Sequence, residues 1–69
     1  MDQYKDSVRM RMRTISGGKQ SLYLDIYVNG KREYEFLKLY IIPERTREDK
    51  KKNEETMRLA EAIRGKRWK

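Results

Sequence analysis

Val8-Arg9-Met10-Arg11-Met12-Arg13 sets three guanidinium groups two residues apart, and Tyr23-Leu24-Asp25-Ile26-Tyr27 sets two phenols on either side of a carboxylate. A spacing of two is the period of an extended strand, in which alternate side chains share a face. Guanidinium groups make paired hydrogen bonds to phosphates and guanine edges, and tyrosine offers a flat ring and a hydroxyl. Arg32, Tyr34 and Lys38 bring the same residue types in again farther along. Catalytic chemistry is poorly supplied. The chain has no histidine and no cysteine, so the commonest general base, the thiolate nucleophile and the usual zinc ligands are missing. The composition points to a non-catalytic chain with no cofactor, no metal and no small-molecule substrate.

Length and charge narrow the class further. Sixty-nine residues make one small domain, which buries only roughly 60% of its unfolded surface. The 18 Lys and Arg against 11 Asp and Glu leave a net charge of +7, an excess that suits a polyanionic partner such as nucleic acid. Residues 1–42 carry eight basic and five acidic groups and residues 43–69 carry ten and six, so the excess is not held in one tail. No apolar run approaches the roughly 18 residues of a membrane span, and no signal-peptide pattern opens the chain. A cytoplasmic protein without membrane contact is expected.

The elements that must position these residues divide at Pro43. Before it the pattern has period two, and three strands are predicted over about 8–15, 20–28 and 31–41. Asn29-Gly30 is a strong hairpin signal, because both positions of a type I′ turn need positive φ. A two-residue turn there pairs Val28 with Lys31, Tyr27 with Arg32, Asp25 with Tyr34, Tyr23 with Phe36 and Leu22 with Leu37. A three-residue turn at Gly17-Gly18-Lys19 would pair Arg13 with Tyr23, Arg11 with Asp25 and Arg9 with Tyr27. One face then collects Val8, Met10, Met12, Leu22, Leu24, Ile26, Val28, Leu37 and Leu39 as a core. The other collects the arginines, Tyr23, Asp25, Tyr27, Arg32, Tyr34, Phe36, Lys38 and Tyr40. Glu33 and Glu35 fall on the core side in this register. Either they lie beyond the helix's cover, or a bulge at Gly30 flips that stretch and turns Tyr34 and Phe36 inward.

After Pro43 a helix is predicted over about 47–64. Thr46 is placed to cap it, Glu48 and Asp49 sit in the first turn, and Gly65 is placed to end it. Its apolar stripe is Thr56, Leu59, Ala60 and Ile63, while residues 50–55 have nothing apolar to bury. The fold class is α+β: a three-stranded antiparallel sheet packed against one C-terminal helix, in the order β-β-β-α. Residues 1–7 are read as a flexible N-terminal segment, 8–65 as the domain and 66–69 as a basic tail.

One face of such a sheet stays free, basic and aromatic. Outer strands roughly 10 Å apart fit a major groove about 12 Å wide. Arg9, Arg11, Arg13, Tyr23, Tyr27, Arg32, Tyr34 and Lys38 are the candidate DNA-binding residues, with Asp25 orienting Arg11. Each has a blander reading. Alternating arginines also make an ordinary solvated face, tyrosine pairs also stabilise sheets, and Lys50, Lys51 and Lys52 suit a solvated helix surface. Trp68 suits either stacking on a partner or a helix that continues.

Ser21-Leu22-Tyr23-Leu24-Asp25-Ile26-Tyr27, Gly30-Lys31-Arg32 and Glu35-Phe36-Leu37-Lys38-Leu39-Tyr40 resemble the amino-terminal arm-type DNA-binding domain of tyrosine recombinases, the phage-type integrases. Ile42-Pro43-Glu44-Arg45-Thr46, Asn53-Glu54-Glu55-Thr56 and Leu59-Ala60-Glu61-Ala62-Ile63-Arg64 are similar to the helix that leads to the core-binding domain in integrases of mobile elements. The resemblance covers about residues 8–67. It implies a sheet face in the major groove of double-stranded DNA at arm-type sites, nucleoid association when bound, and catalytic residues in a downstream domain. The basic tail would then lead to the core-binding and catalytic domains of a parent protein. An RNA-binding sheet module and a protein-interaction module stand as the alternatives.

Overall fold

Alternation before Pro43 and a capped helical segment after it give the element order β1 (Ser7–Thr14), β2 (Gln20–Val28), β3 (Lys31–Ile41) and α1 (Arg47–Arg67) in the computed structural model, which describes residues 6–67. Three antiparallel strands in the order β1-β2-β3 are followed by one C-terminal helix. Most of the N-terminal segment read as flexible lies outside the described residues, as do Trp68 and Lys69. Ser7 already belongs to β1, and Lys66 and Arg67, read as tail, belong to the helix.

The β2–β3 hairpin turns at Asn29 and Gly30, with φ of 53° and 78°. Both positive values fit the turn that this dipeptide favours. Tyr27↔Arg32, Asp25↔Tyr34 and Tyr23↔Phe36 pair as expected, so there is no flip at Gly30. Farther along, Leu22 faces Leu39 and not the expected Leu37. Leu37 and Lys38 are set outside the ladder by a bulge, with Lys38 at φ 58°. The β1–β2 register is corrected too. Arg13 faces Ser21, Arg11 faces Tyr23 and Arg9 faces Asp25. The connection is longer than a three-residue turn: a turn of 3₁₀ helix over Ser16–Gly18 places Gly17 and Gly18 at positive φ. The Ile15 N–H closes it on the Lys19 carbonyl at 2.8 Å. Both register changes are shifts of two residues, and a shift of two leaves every side chain on its face.

Val8, Leu22, Leu24 and Ala60 form the buried core. Small Ala60 sits where α1 meets the aliphatic side of the sheet, and the helix contacts both edge strands. Met12, expected in the core, is 51% exposed, because the helix does not cover that end of β1. Leu59 is also turned out, and Met57 takes its place on the flank beside Thr56.

The first half of α1 is not simply solvated. Asn53 is buried, and its amide grips the chain after β3: Oδ1 accepts from the Ile42 N–H at 3.0 Å and Nδ2 donates to the Ile42 carbonyl at 2.8 Å. Nδ2 also lies 3.1 Å from Glu44 Oε2. Thr46 caps the helix as expected, its Oγ1 accepting from the Asp49 N–H at 3.1 Å. Asp49 Oδ2 accepts in return from the Thr46 and Arg45 N–H groups, a reciprocal arrangement that satisfies otherwise unpaired donors. Gly65 does not end the helix, which continues to Arg67. Two side chains fasten its last turns. Arg64 Nη1 donates to the Val8 carbonyl at 2.9 Å, and Arg67 makes a paired bridge to Glu35 at 2.7 and 2.8 Å. That bridge also accounts for a carboxylate on the helix side of β3.

Candidate nucleic-acid interface

The registers lay the free face out in cross-strand rows. From the β2–β3 turn downward they are Ser7–Tyr27–Arg32, Arg9–Asp25–Tyr34, Arg11–Tyr23–Phe36 and Arg13–Ser21–Tyr40. The β1 edge is therefore basic and most of the β3 edge aromatic, a division that the two-residue shift of register leaves intact. Arg9, Arg11, Arg13, Arg32, Tyr34 and Lys38 are exposed, and Tyr23 and Tyr27 are half-buried.

Asp25 organises the centre. The residue is only 4% exposed although it stands on the free face, since the side chains around it close over it. Arg11 Nε donates to Oδ2 at 2.8 Å from a side chain that is itself 46% exposed. Arg32 Nε lies 3.4 Å from Oδ1, an ion pair without hydrogen-bond geometry. The Asp25 hydrogen bond first, and its charge second, raise the Arg11 pKa above its already high ordinary value. A buried carboxylate needs such compensation, because desolvation would otherwise disfavour its charge. Two guanidinium groups around one carboxylate leave the cluster positive. Both contacts use Nε, and among the described residues the terminal nitrogens of Arg11 and Arg32 make no hydrogen bond.

Arg32 also lies over the Tyr27 ring, 5.6 Å from its centroid, within cation–π range. Ser7, Arg9, Arg11, Asp25, Tyr27 and Arg32 together line a recess of about 250 Å³. Beside it, Tyr23 stacks on Phe36 at 5.0 Å and meets Tyr34 edge-on at 5.9 Å. Packing of this kind holds rings in fixed orientations. The structure thus gathers Arg9, Arg11, Arg32 and Tyr27 at one recess and Tyr23 with Tyr34 in one aromatic group. Arg13 stands a row away, and Lys38 lies in the bulge. Phe36 and Tyr40, 51% and 46% exposed, belong to the same face but were not among the candidates. The alternation that selected Tyr23 and Tyr34 also reaches them.

Among the described residues no cluster of acidic side chains comes together to hold a metal, and no helix is long and apolar enough to cross a membrane. Comparison with known protein families matches residues 8–69 to the family described as Arm DNA-binding domain. No curated protein and no solved structure matches the chain.

Proposed function

The chain belongs to the Arm DNA-binding domain family, a non-catalytic DNA-binding module found in phage integrases, and from that premise we propose that its free sheet face enters the major groove of double-stranded DNA at arm-type sites. The observation that carries this reading is the recess where Arg9, Arg11, Arg32 and Tyr27 converge, on the side of the sheet away from α1. Phosphate contacts fix the position of a protein on a duplex, and base-edge contacts specify the sequence. Arg9 and Arg13, on the exposed β1 edge, are assigned to phosphates, with Lys38 in the bulge serving the opposite side. Arg11 is assigned to a base edge. Its Nε is held by Asp25 at 2.8 Å, which leaves the terminal nitrogens for O6 and N7 of a guanine. Arg32 supports it from the other side of the same carboxylate. Tyr23, Tyr27 and Tyr34 supply ring contacts and hydroxyls.

The parent protein in this reading is a tyrosine recombinase of a mobile element. Residues 8–65 bind the arm site, and the end of α1 leads to core-binding and catalytic domains. Filter binding at several salt concentrations tests the face. If Arg9, Arg11, Arg13, Arg32 and Lys38 all neutralised phosphates, log K would fall against log salt with a slope of about −4.5. Arg9→Ala should weaken all duplexes alike and flatten the slope by about one. Arg11→Ala should cost roughly ten- to hundredfold on the preferred site and little elsewhere. Equal losses for both variants on every duplex would remove the base-reading role, and unaltered binding in both would remove the sheet face altogether. Competition with an RNA duplex of the same sequence should leave the DNA complex intact.

A further inference from the structure

On the opposite side of the molecule, a groove of about 580 Å³ runs along the flank of α1 that faces β1. Met12, Ile41 and Met57 supply its apolar lining, and Met12 is 51% exposed there. Glu44, Glu54 and Glu61 stand along it, with Arg58 as the cation of the lining. Glu61 is ion-paired with Arg64, so the three carboxylates face two guanidiniums and the strip keeps one negative charge on a chain of net charge +7. Glu44 is held by Asn53 Nδ2 and Glu61 by Arg64 Nε at 2.8 Å, while Glu54 is exposed and has no hydrogen bond among the described residues.

We propose that this groove docks a basic, amphipathic helical segment of a partner protein. Two features select that chemistry. Methionine side chains are flexible and polarisable and adapt to apolar surfaces of varied shape, and the carboxylates complement lysine or arginine flanking an apolar stripe. The size suits it as well: from Asn53 to Glu61 the helix rises about 12 Å, close to the span of the i, i+3, i+4 and i+7 anchors of a helix lying in a groove. The net negative charge of the lining disfavours a DNA duplex on this flank. Met12 points away from the face shared by Arg11 and Arg13, because neighbours along a strand take opposite faces. The partner and the nucleic acid therefore do not compete for one surface.

The test uses the whole chain with its methionine methyl groups labelled for NMR, and a short amphipathic helical peptide of leucine and lysine as the probe. The Met12 and Met57 methyl resonances should shift together and saturably, with Met10 nearly unmoved. A peptide of leucine and glutamate should produce no shift. Glu54→Gln should weaken binding about threefold, on the scale of one exposed ion pair. Glu48→Gln, an acid outside the groove, should change little. Unmoved Met12 and Met57 resonances overturn the proposal, and so does an equal loss from Glu48→Gln, which would mean unspecific charge attraction. Methionine shifts that grow with protein concentration without peptide would assign the groove to a second copy of the chain, and that also overturns it.

Discussion

Asn53→Ala should destabilise this domain more than most truncations of an aliphatic residue on the same helix. The Asn53 side chain is 4% exposed and makes two bonds to the main chain of Ile42, at 3.0 and 2.8 Å, and one to Glu44. Each bond contributes roughly 0.5–1.5 kcal/mol net, and a buried main-chain group left without a partner costs roughly 1–3 kcal/mol. Ile42 is half-buried and Glu44 exposed, which relieves part of these penalties, so a total of about 2–4 kcal/mol is expected. A domain of this size has roughly 3–10 kcal/mol in all, and each kcal/mol moves its melting temperature by about 4–8 °C. The variant should therefore melt about 10–25 °C below the parent, followed by far-ultraviolet circular dichroism. Leu59→Ala, on the exposed side of the same helix, serves as the control and should cost well under 1 kcal/mol. Asn53→Asp sharpens the test: it keeps an acceptor for the Ile42 N–H but loses the donor and sets a charge beside Glu44, so its deficit should grow above the carboxylate pKa. If Asn53→Ala melts within a few degrees of the parent, or if Leu59→Ala is the more damaging change, the helix is not anchored at Ile42.

Other expectations concern the core and the helix start. Leu24 is fully buried, so Leu24→Ala should cost about 2–5 kcal/mol, and the variant should be largely unfolded by circular dichroism. A cooperative melt near the parent's would invert the assignment of faces. The Arg45 N–H first, then the Thr46 N–H and hydroxyl, hold the Asp49 carboxyl below its ordinary range, and the Arg67 bridge does the same for Glu35. A carboxyl depressed in the folded state stabilises it above the unfolded pKa of roughly 4 and loses that contribution as pH falls through the folded value. Melts should accordingly weaken below about pH 4, and Asp49→Asn should show a smaller drop over that window. An identical pH dependence in the variant would argue against the reciprocal cap.

The faces of the sheet were legible in the sequence because they depend only on parity. Arg9, Arg11 and Arg13 stay opposite Val8, Met10 and Met12 whichever even shift the strands adopt, and both observed shifts are of two residues. The register itself was less legible. It depends on the 3₁₀ turn at Ser16–Gly18 and the bulge at Leu37 and Lys38, neither of which a period of two encodes. The Arg11–Asp25 pairing was anticipated, although the contact arises diagonally and not between directly opposed residues. On α1, Leu59 drew the apolar stripe toward itself, whereas the buried residues are Asn53 and Ala60, with Met57 half-buried beside them. A polar residue whose partners are main-chain groups of Ile42 leaves no hydrophobic signal. Gly65 carries a stop signal that local propensity supports, yet the anchoring of Arg64 and Arg67 across the sheet carries the helix past it.

The placement of DNA on the free face is tested most directly by an NMR titration of the labelled chain with a random-sequence duplex, watching the main-chain amides. Shifts are expected around residues 9–13 and 23–27, and in β3 around Arg32 and Tyr34, with the helical residues 59–64 remaining still. Shifts centred on residues 59–64, with β1 and β2 unmoved, would contradict the assignment and place the nucleic acid against the helix.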